Sequence, residues 1–451
     1  MVGLGTLSAP LDSSVNIAFP FITRAFDAPL DSIQWVVICY VLTYSSLMLV
    51  FGKLGDLFGH RRVFGAGLAL SAVAYVLCGS AETFGMLLVF RVMQGIGTAL
   101  VLSCGPALAT MLFPEAMRAR VLGIYTMMFG IGSALGPSLG GLLIAEWGWA
   151  AVFWFRAPLA AVLLFLFLLP RVQPSTGRRS FDAAGAALLI AALSSFILAV
   201  NQARHAAGEG ALLPILLAVS AVACTIGFVL QERRALEPIL RPGLFRSLRF
   251  SVINLTNTAV NLVGFAVMFL VPYYLDRISS LPVVLAGVVL ASSPAGLVVA
   301  GPLGGRLLAR IAAPRLALAG AVLVGAGLIA IGRWGSATPV AAMVSSLIAV
   351  GFGLGLFQVA YMDIVTGTLP RSDRGVAGSL AMVTRTVGVV SGATCLTLIF
   401  AAYAPADTAV DAAAFLTPFS STFTTVGAGM LGFLLFTLLN PGIWLQAAPS
   451  R

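Results

Sequence analysis

A carboxylate at position 12, in the run Leu11-Asp12-Ser13-Ser14-Val15-Asn16, stands in the middle of an otherwise apolar stretch from Val2 to Phe21. An acid at the centre of a membrane-crossing helix costs about 2.5–3.5 kcal/mol to insert, so such a residue is retained for a reason. In that setting Asp12 is a candidate proton carrier. The blander reading is that it reaches water from a short first helix. Arg91, in Arg91-Val-Met-Gln94-Gly-Ile-Gly97, poses the same problem with the opposite sign. An arginine inside a span must find a carboxylate, carbonyls or a water-filled cavity. It serves either proton transfer or a structural pairing that orients its span. Asn254, Asn257 and Asn261, with Thr258 beside them, recur at helical spacing and share one face. That face either lines a polar path or makes interhelical hydrogen bonds worth about 0.6 kcal/mol each. Asn16, Gln94, Gln358 and Tyr361 are further candidates for lining a path, as are Gln34, Tyr40 and Tyr44. The sequence offers no nucleotide-binding loop, catalytic dyad or metal cluster, so no cofactor is expected and energy must come from an ion gradient.

These residues need helices in a bilayer to hold them. Of the 451 residues, 59% are hydrophobic and only 9% charged, with a mean hydropathy of +1.03. A soluble domain of that balance would lack the polar residues to cover its core. The five cysteines all sit in apolar runs and read as packing residues. The formal charge of +10 invites a nucleic-acid reading, but the distribution of the 26 Lys and Arg excludes it. Most lie on alternate connectors and the C-terminus; Arg24, Arg204, Arg277 and Arg333 fall on the opposite set, and Arg91, Arg156 and Arg385 lie within spans. That asymmetry encodes topology, with both termini cytoplasmic. For Arg156 and Arg385 the sequence supplies no role. The first segment lacks a basic start and a small-residue cleavage site and is read as a retained helix.

Apolar runs place the first span at residues 2–21 and spans two to six near 33–51, 63–80, 85–110, 118–144 and 149–170. The basic linker Arg171 to Arg179 and two runs at 182–203 and 211–231 follow. The last six spans fall near 250–275, 283–308, 314–334, 339–362, 375–403 and 418–439. The even total of fourteen agrees with both termini on one side. An internal repeat supports two halves: Leu112 to Arg120 and Thr368 to Val376 each lead into a glycine-rich span, with Pro114 matching Pro370 and Arg118 matching Arg374.

Two motifs carry a resemblance. Between the second and third spans lies Gly52-Lys-Leu-Gly-Asp56-Leu-Phe-Gly59-His-Arg61-Arg. Gly52, Gly55 and Gly59 permit a tight turn with positive φ there, and Asp56 is its one carboxylate. In the fifth span, Gly132, Gly136 and Gly140 recur every four residues, giving a smooth stripe for close helix approach. Pro137 removes a backbone donor within it, and Gly141 closes the element. The chain resembles the major facilitator superfamily: Gly52, Leu54, Asp56, Gly59 and Arg61 match its loop between helices two and three, while Leu57 and His60 replace residues that are usually Arg. Residues 132–141 resemble the element that marks its antiporters, Leu87 and Arg91 to Gly97 its fourth-span motif, and Asp12, Asn16, Ala18 and Pro20 its first-span acidic signature. The interval from Asp12 to Asn16 is one residue short of that signature, about 100° of helix rotation.

The resemblance implies an all-α membrane protein of the major facilitator fold, in the fourteen-helix drug:proton antiporter branch. The expected organisation is a six-helix bundle over residues 1–170, two inserted helices with linkers over 171–249, and a second bundle over 250–451. It implies a proton-coupled exporter of small lipophilic or cationic compounds, with Asp12 and Arg91 near the coupling proton. Asp56 is expected to meet the N-terminus of the thirteenth span near Arg374, and Asp363 to lie wet at its helix end. Alternatives are an exporter dedicated to one endogenous metabolite (a siderophore, amino acid or lipid precursor) or a membrane sensor that does not transport. The expected partners are a small-molecule substrate, protons and the lipid bilayer, without nucleic acid. The expected state is a monomer in a bacterial inner membrane.

Overall fold

The computed structural model describes residues 2–28, 32–111, 113–168, 181–203, 211–235, 238–279, 281–370, 373–403 and 412–444. The linker Arg171 to Arg179 lies outside them. The described chain is helical throughout: α1 Val2–Leu7, α2 Ser14–Phe26, α3 Trp35–Phe58, α4 His60–Gly79, α5 Phe84–Met111, α6 Arg118–Trp147, α7 Ala151–Trp154, α8 Arg156–Leu168, α9 Ala183–Ala203 and α10 Leu212–Glu232. There follow α11 Leu248–Arg277, α12 Val283–Leu307, α13 Ala313–Gly332, α14 Val340–Thr368, α15 Arg374–Tyr403 and α16 Ala412–Leu438. Among the described residues, twelve helices are long and apolar enough to cross a membrane, α9 and α10 included. The first and sixth expected spans are not among the twelve. The first is divided into α1, a 3-10 turn Pro10–Ser13 and α2, and the sixth into α7 and the short α8.

Proline explains the first break. Pro10 cannot donate to a preceding carbonyl, and the chain tightens at Pro10–Ser13 into a turn that carries Asp12. Rotation per residue there is nearer 120° than 100°, so the register of a continuous helix does not apply to Asp12.

The charged connector is more helical than its glycines suggest. Helix α3 runs through Gly52 and Gly55 to Phe58, and α4 begins at His60. Of the three glycines only Gly59 has positive φ, at 94°. Gly52 and Gly55 are needed for space, not for backbone conformation.

Within the N-terminal part α3 and α4 pack on α5, and α8 on α4. Within the C-terminal part α12 and α13 pack on α14, α11 on α15 and α13 on α16. The parts meet where α6 lies on α12 and where α15 lies on α3 and α5. Helices in lipid gain little from apolar burial against each other, so close approach decides these contacts. At the α6–α12 crossing a Cβ on Gly123 would lie 2.4 Å from the Gly301 carbonyl oxygen. Helices α9 and α10 pack as a pair, and α9 touches both α3 and α15. There Ser46 and Ser194 share a hydrogen bond of 2.9 Å and Thr394 donates to the Val200 carbonyl at 2.9 Å.

Candidate functional site

Four helical elements deliver a buried ion cluster around Asp12. Arg91 on α5 donates from both terminal nitrogens, Nη1 to Asp12 Oδ1 and Nη2 to Oδ2, each at 2.8 Å. Arg156, first residue of α8, donates to Oδ1 at 2.7 Å, and Gln94 Nε2 donates to the same oxygen at 2.9 Å. Arg91 Nε donates to the Val36 carbonyl at 2.7 Å, and its Nη1 also reaches Gln94 Oε1 at 2.7 Å. Aromatic faces close the cluster: Tyr40 lies 4.4 Å from the Arg91 guanidinium, Tyr75 lies 4.6 Å from that of Arg156, and Phe153 lies within 6 Å of both. One carboxylate faces two guanidiniums, so the cluster carries a net positive charge when Asp12 is ionised. The Asp12 side chain is 11% exposed and both arginine side chains 0%.

The glycine stripe of α6 is the wall behind this acid. A Cβ on Gly132 would lie 2.6 Å from Pro10, one on Gly136 2.0 Å from Ser13 Oγ, and one on Gly140 within 3.0 Å of the Ser14 backbone. The three positions hold the turn that presents Asp12. Pro137 and Gly141 are exposed, and nothing lies within 4 Å of a Cβ built on Gly141.

At the basic-loop end a second polar set joins the two parts. Asp56 accepts from the backbone N–H of Gly375 at 3.0 Å and of Val376 at 3.3 Å, at the start of α15. That helix end offers free N–H groups and partial positive charge. His60 Nε2 lies 3.0 Å from Asp56, placing this histidine in a buried helix start, not in an open loop. A Cβ on Gly52 would sit 2.7 Å from the Gly375 carbonyl oxygen. Arg61 lies partly exposed at the start of α4. Arg374 pairs with Glu115, leaving the helix end itself to Asp56. Asp363 is buried, not wet, because Arg118 donates to it at 2.9 Å across the two parts. This end of the molecule is shut.

Between the ends, α6, α11, α12, α14 and α15 border a cavity of about 60 Å³ lined by Thr126, Phe129, Asn261, Gln358 and Arg385 among others. The asparagine face divides its roles. Asn254 accepts from the Tyr361 hydroxyl at 2.8 Å, and Asn257 donates to Thr384 Oγ1 at 2.8 Å, so both knit α11 to α14 and α15. Asn261 alone of the three lines the cavity, with its amide donating to the Asn257 carbonyl at 2.7 Å. Tyr361 belongs to the same knot and not to the cavity wall. Gln94 belongs to the ion cluster, and Asn16 is exposed and outside it.

Of the two arginines for which the sequence supplies no role, Arg156 joins this cluster. The signal was charge arithmetic: two arginines within N-terminal spans need partners, and Asp12 is the one acid in the middle of those spans. Tyr40 and Tyr75, which face the guanidiniums, had no comparable signal.

Comparison with known proteins places this geometry. The Major Facilitator Superfamily profile matches residues 2–393. The multidrug resistance protein Stp of Mycobacterium tuberculosis is 30% identical over 89% of this chain and 75% of its own. The tetracenomycin C resistance and export protein of Streptomyces glaucescens is 31% identical over 89% and 75%. The riboflavin transporter RibZ of Clostridioides difficile is 26% identical over 89% and 87%. Among solved structures, the human organic anion transporter MFSD10 superposes with a TM-score of 0.67 at 16% identity, covering 96% of this chain and 97% of that one. The Escherichia coli fucose:proton symporter FucP gives 0.64 at 12% identity, covering 96% and 97%. These two show the shared fold. The chain belongs to the major facilitator superfamily, as a multi-pass membrane transporter and not an enzyme.

Proposed function

We propose that this protein is a proton-coupled exporter of small lipophilic compounds working by alternating access. The observation that carries the reading is the Asp12–Arg91–Arg156 cluster, braced by the glycine stripe of α6. Protonation of Asp12 removes the charge that holds two buried guanidiniums together. The remaining like charges repel in a low-dielectric site, which loosens the Pro10–Ser13 turn from α5 and α8 and releases the compound. Deprotonation toward the other face restores the cluster. The shut basic-loop end, held by Asp56 and the Arg118–Asp363 pair, is the gate that must open in the second half of the cycle. Resistance and export relatives near 30% identity support export.

Asp12 is not free to receive a cationic cargo in this arrangement, because it already accepts four hydrogen bonds, three of them from guanidinium nitrogens. The remaining organisation follows the family pattern: fourteen crossings when the divided first and sixth segments are included, two bundles over 1–170 and 250–451 with an inserted pair between, both termini cytoplasmic in a bacterial inner membrane, and a working monomer. The gate roles of Gly52, Gly59 and Arg61 belong to the same reading.

The test is accumulation of lipophilic dyes in an efflux-deficient bacterial host expressing the chain. The expected result is lower steady-state dye content that returns to the control level when an uncoupler abolishes the proton gradient. Unchanged dye content across acidic, neutral and basic dyes would contradict export of this class.

A further inference from the structure

The cavity between the two parts is unlike the Asp12 cluster in one respect: among the described residues its lining contains a cation and no acid. Arg385, on α15, turns its guanidinium onto the Phe129 ring at 3.9 Å. No carboxylate among the described residues pairs with it. Beside it, Gln358 is only 8% exposed and Thr126 only 3%, and the Gln358 Nε2 amide and Thr126 Oγ1 hydroxyl have no hydrogen-bond partner. Three residues able to donate thus line one space, two of them with a buried, unmatched polar atom. The Asn261 amide, whose N–H already binds Asn257, contributes to the same wall.

Buried polar groups left unmatched are costly and call for a complement. The complement to a guanidinium, an amide N–H and a hydroxyl is an acceptor-only group, of which a carboxylate is the common form. A guanidinium stacked on an aromatic ring is held in a fixed plane, the arrangement that suits two parallel bonds to an acid. Met362 and Met382 flank this polar end with soft apolar surface. The volume of about 60 Å³ is well below the roughly 150 Å³ that admits a benzene ring. The space takes the acidic head of a cargo, and the body must extend along the path that alternation opens.

The neighbourhood adds to the positive field. Tyr44 lies within electrostatic range of both Arg385 and Asp12. Its ring centroid is 5.0 Å from that of Tyr40, which in turn faces Arg91. Each end of this aromatic bridge meets excess positive charge.

We propose that the cavity selects organic anions, with the cargo's carboxylate on Arg385 and Gln358 and its apolar body against Phe129 and the two methionines. The inference rests on the export reading for its direction, but the binding site stands on its own geometry.

The experiment uses the full chain in lipid nanodiscs and three probes that share ring and linker: 1-pyrenebutyrate, its methyl ester and the corresponding trimethylammonium compound. Binding is read as energy transfer from protein tryptophan, with empty nanodiscs subtracted. The expected result is at least tenfold tighter binding of the acid than of either analogue. Arg385→Gln should abolish that preference, and Arg385→Lys should keep its sign but weaken it, because an ammonium cannot make the two parallel bonds. Comparison of the three probes on the wild type needs no variant to fold. Equal or tighter binding of the ammonium compound overturns the proposal. So does an acid preference that survives in a folded Arg385→Gln protein, or failure of all three probes to saturate. Proton movement in proteoliposomes separates the two readings. An acid preference without coupled proton movement sinks proton-driven export and leaves the anion site standing. Proton movement driven by the ammonium probe alone does the reverse.

Discussion

Arg156 and Asp12, 144 residues apart in the chain, meet at 2.7 Å in a buried cluster, and Arg91 grips the same carboxylate through both of its oxygens. The stoichiometry sets an order of stabilities. Asp12→Asn leaves two guanidiniums facing each other, whereas Arg156→Gln leaves a one-to-one pair. Removing one partner from a buried ionic cluster costs about 3–5 kcal/mol. Asp12→Asn is therefore expected to lower the unfolding temperature more than Arg156→Gln. The double variant should be more stable than Asp12→Asn alone. Thermal unfolding of the three proteins in one detergent checks the order, and a strictly additive double variant would contradict the shared cluster.

The α6 stripe gives a position-by-position expectation. A Cβ at residue 140 meets the Ser14 backbone, which cannot rotate away, whereas one at residue 141 meets nothing. Gly140→Ala should cost about 1–3 kcal/mol, as overpacking does, and reduce transport at least tenfold. Gly141→Ala should be close to wild type. Equal losses at both positions would mean that the stripe acts through something other than its contact with the Asp12 turn.

Closure at the basic-loop end rests on Asp56 at the start of α15. Asp56→Asn loses charged hydrogen bonds worth about 1.5–3 kcal/mol, equivalent to a shift of roughly 10- to 150-fold in a two-state population. Gly375→Ala should act in the same direction, because its Cβ would lie 2.5 Å from the Gly52 carbonyl oxygen. Distances between spin labels on α3 and α15 should lengthen at that end in both variants. Unchanged distance distributions would remove Asp56 from the gate.

The asparagine knot predicts a structural defect without a change of cargo. Tyr361→Phe deprives Asn254 Oδ1 of its donor, and a buried acceptor left unmatched costs about 1–3 kcal/mol. Stability should fall while relative rates among substrates stay as in wild type. Altered substrate ranking in this variant would put Tyr361 back in the path.

Much of this was legible from residue order, and the exceptions have physical reasons. Apolar runs and glycine spacing gave the helices because both are local properties of the chain. The contact between Asp56 and the start of α15 was legible because a loop carboxylate and a free helix end are complementary. Arg156 was opaque because its meaning depends on a residue 144 positions away. The asparagines showed a shared face, but periodicity does not say whether that face meets a cavity or another helix. The apolar run places Asp12 within a continuous helix, whereas Pro10 opens the 3-10 turn Pro10–Ser13 and changes its direction. The burial of Asp363 is not legible in residue order, because its partner Arg118 lies 245 residues before it.

The most direct test of proton coupling through Asp12 is proton movement in proteoliposomes with an imposed pH gradient, wild type against Asp12→Asn, on addition of a dye that the wild type exports. The account predicts dye-dependent collapse of the gradient by wild type and none by Asp12→Asn, with the variant shown to be folded by its elution as a monodisperse species. Equal proton movement by the two proteins would contradict it.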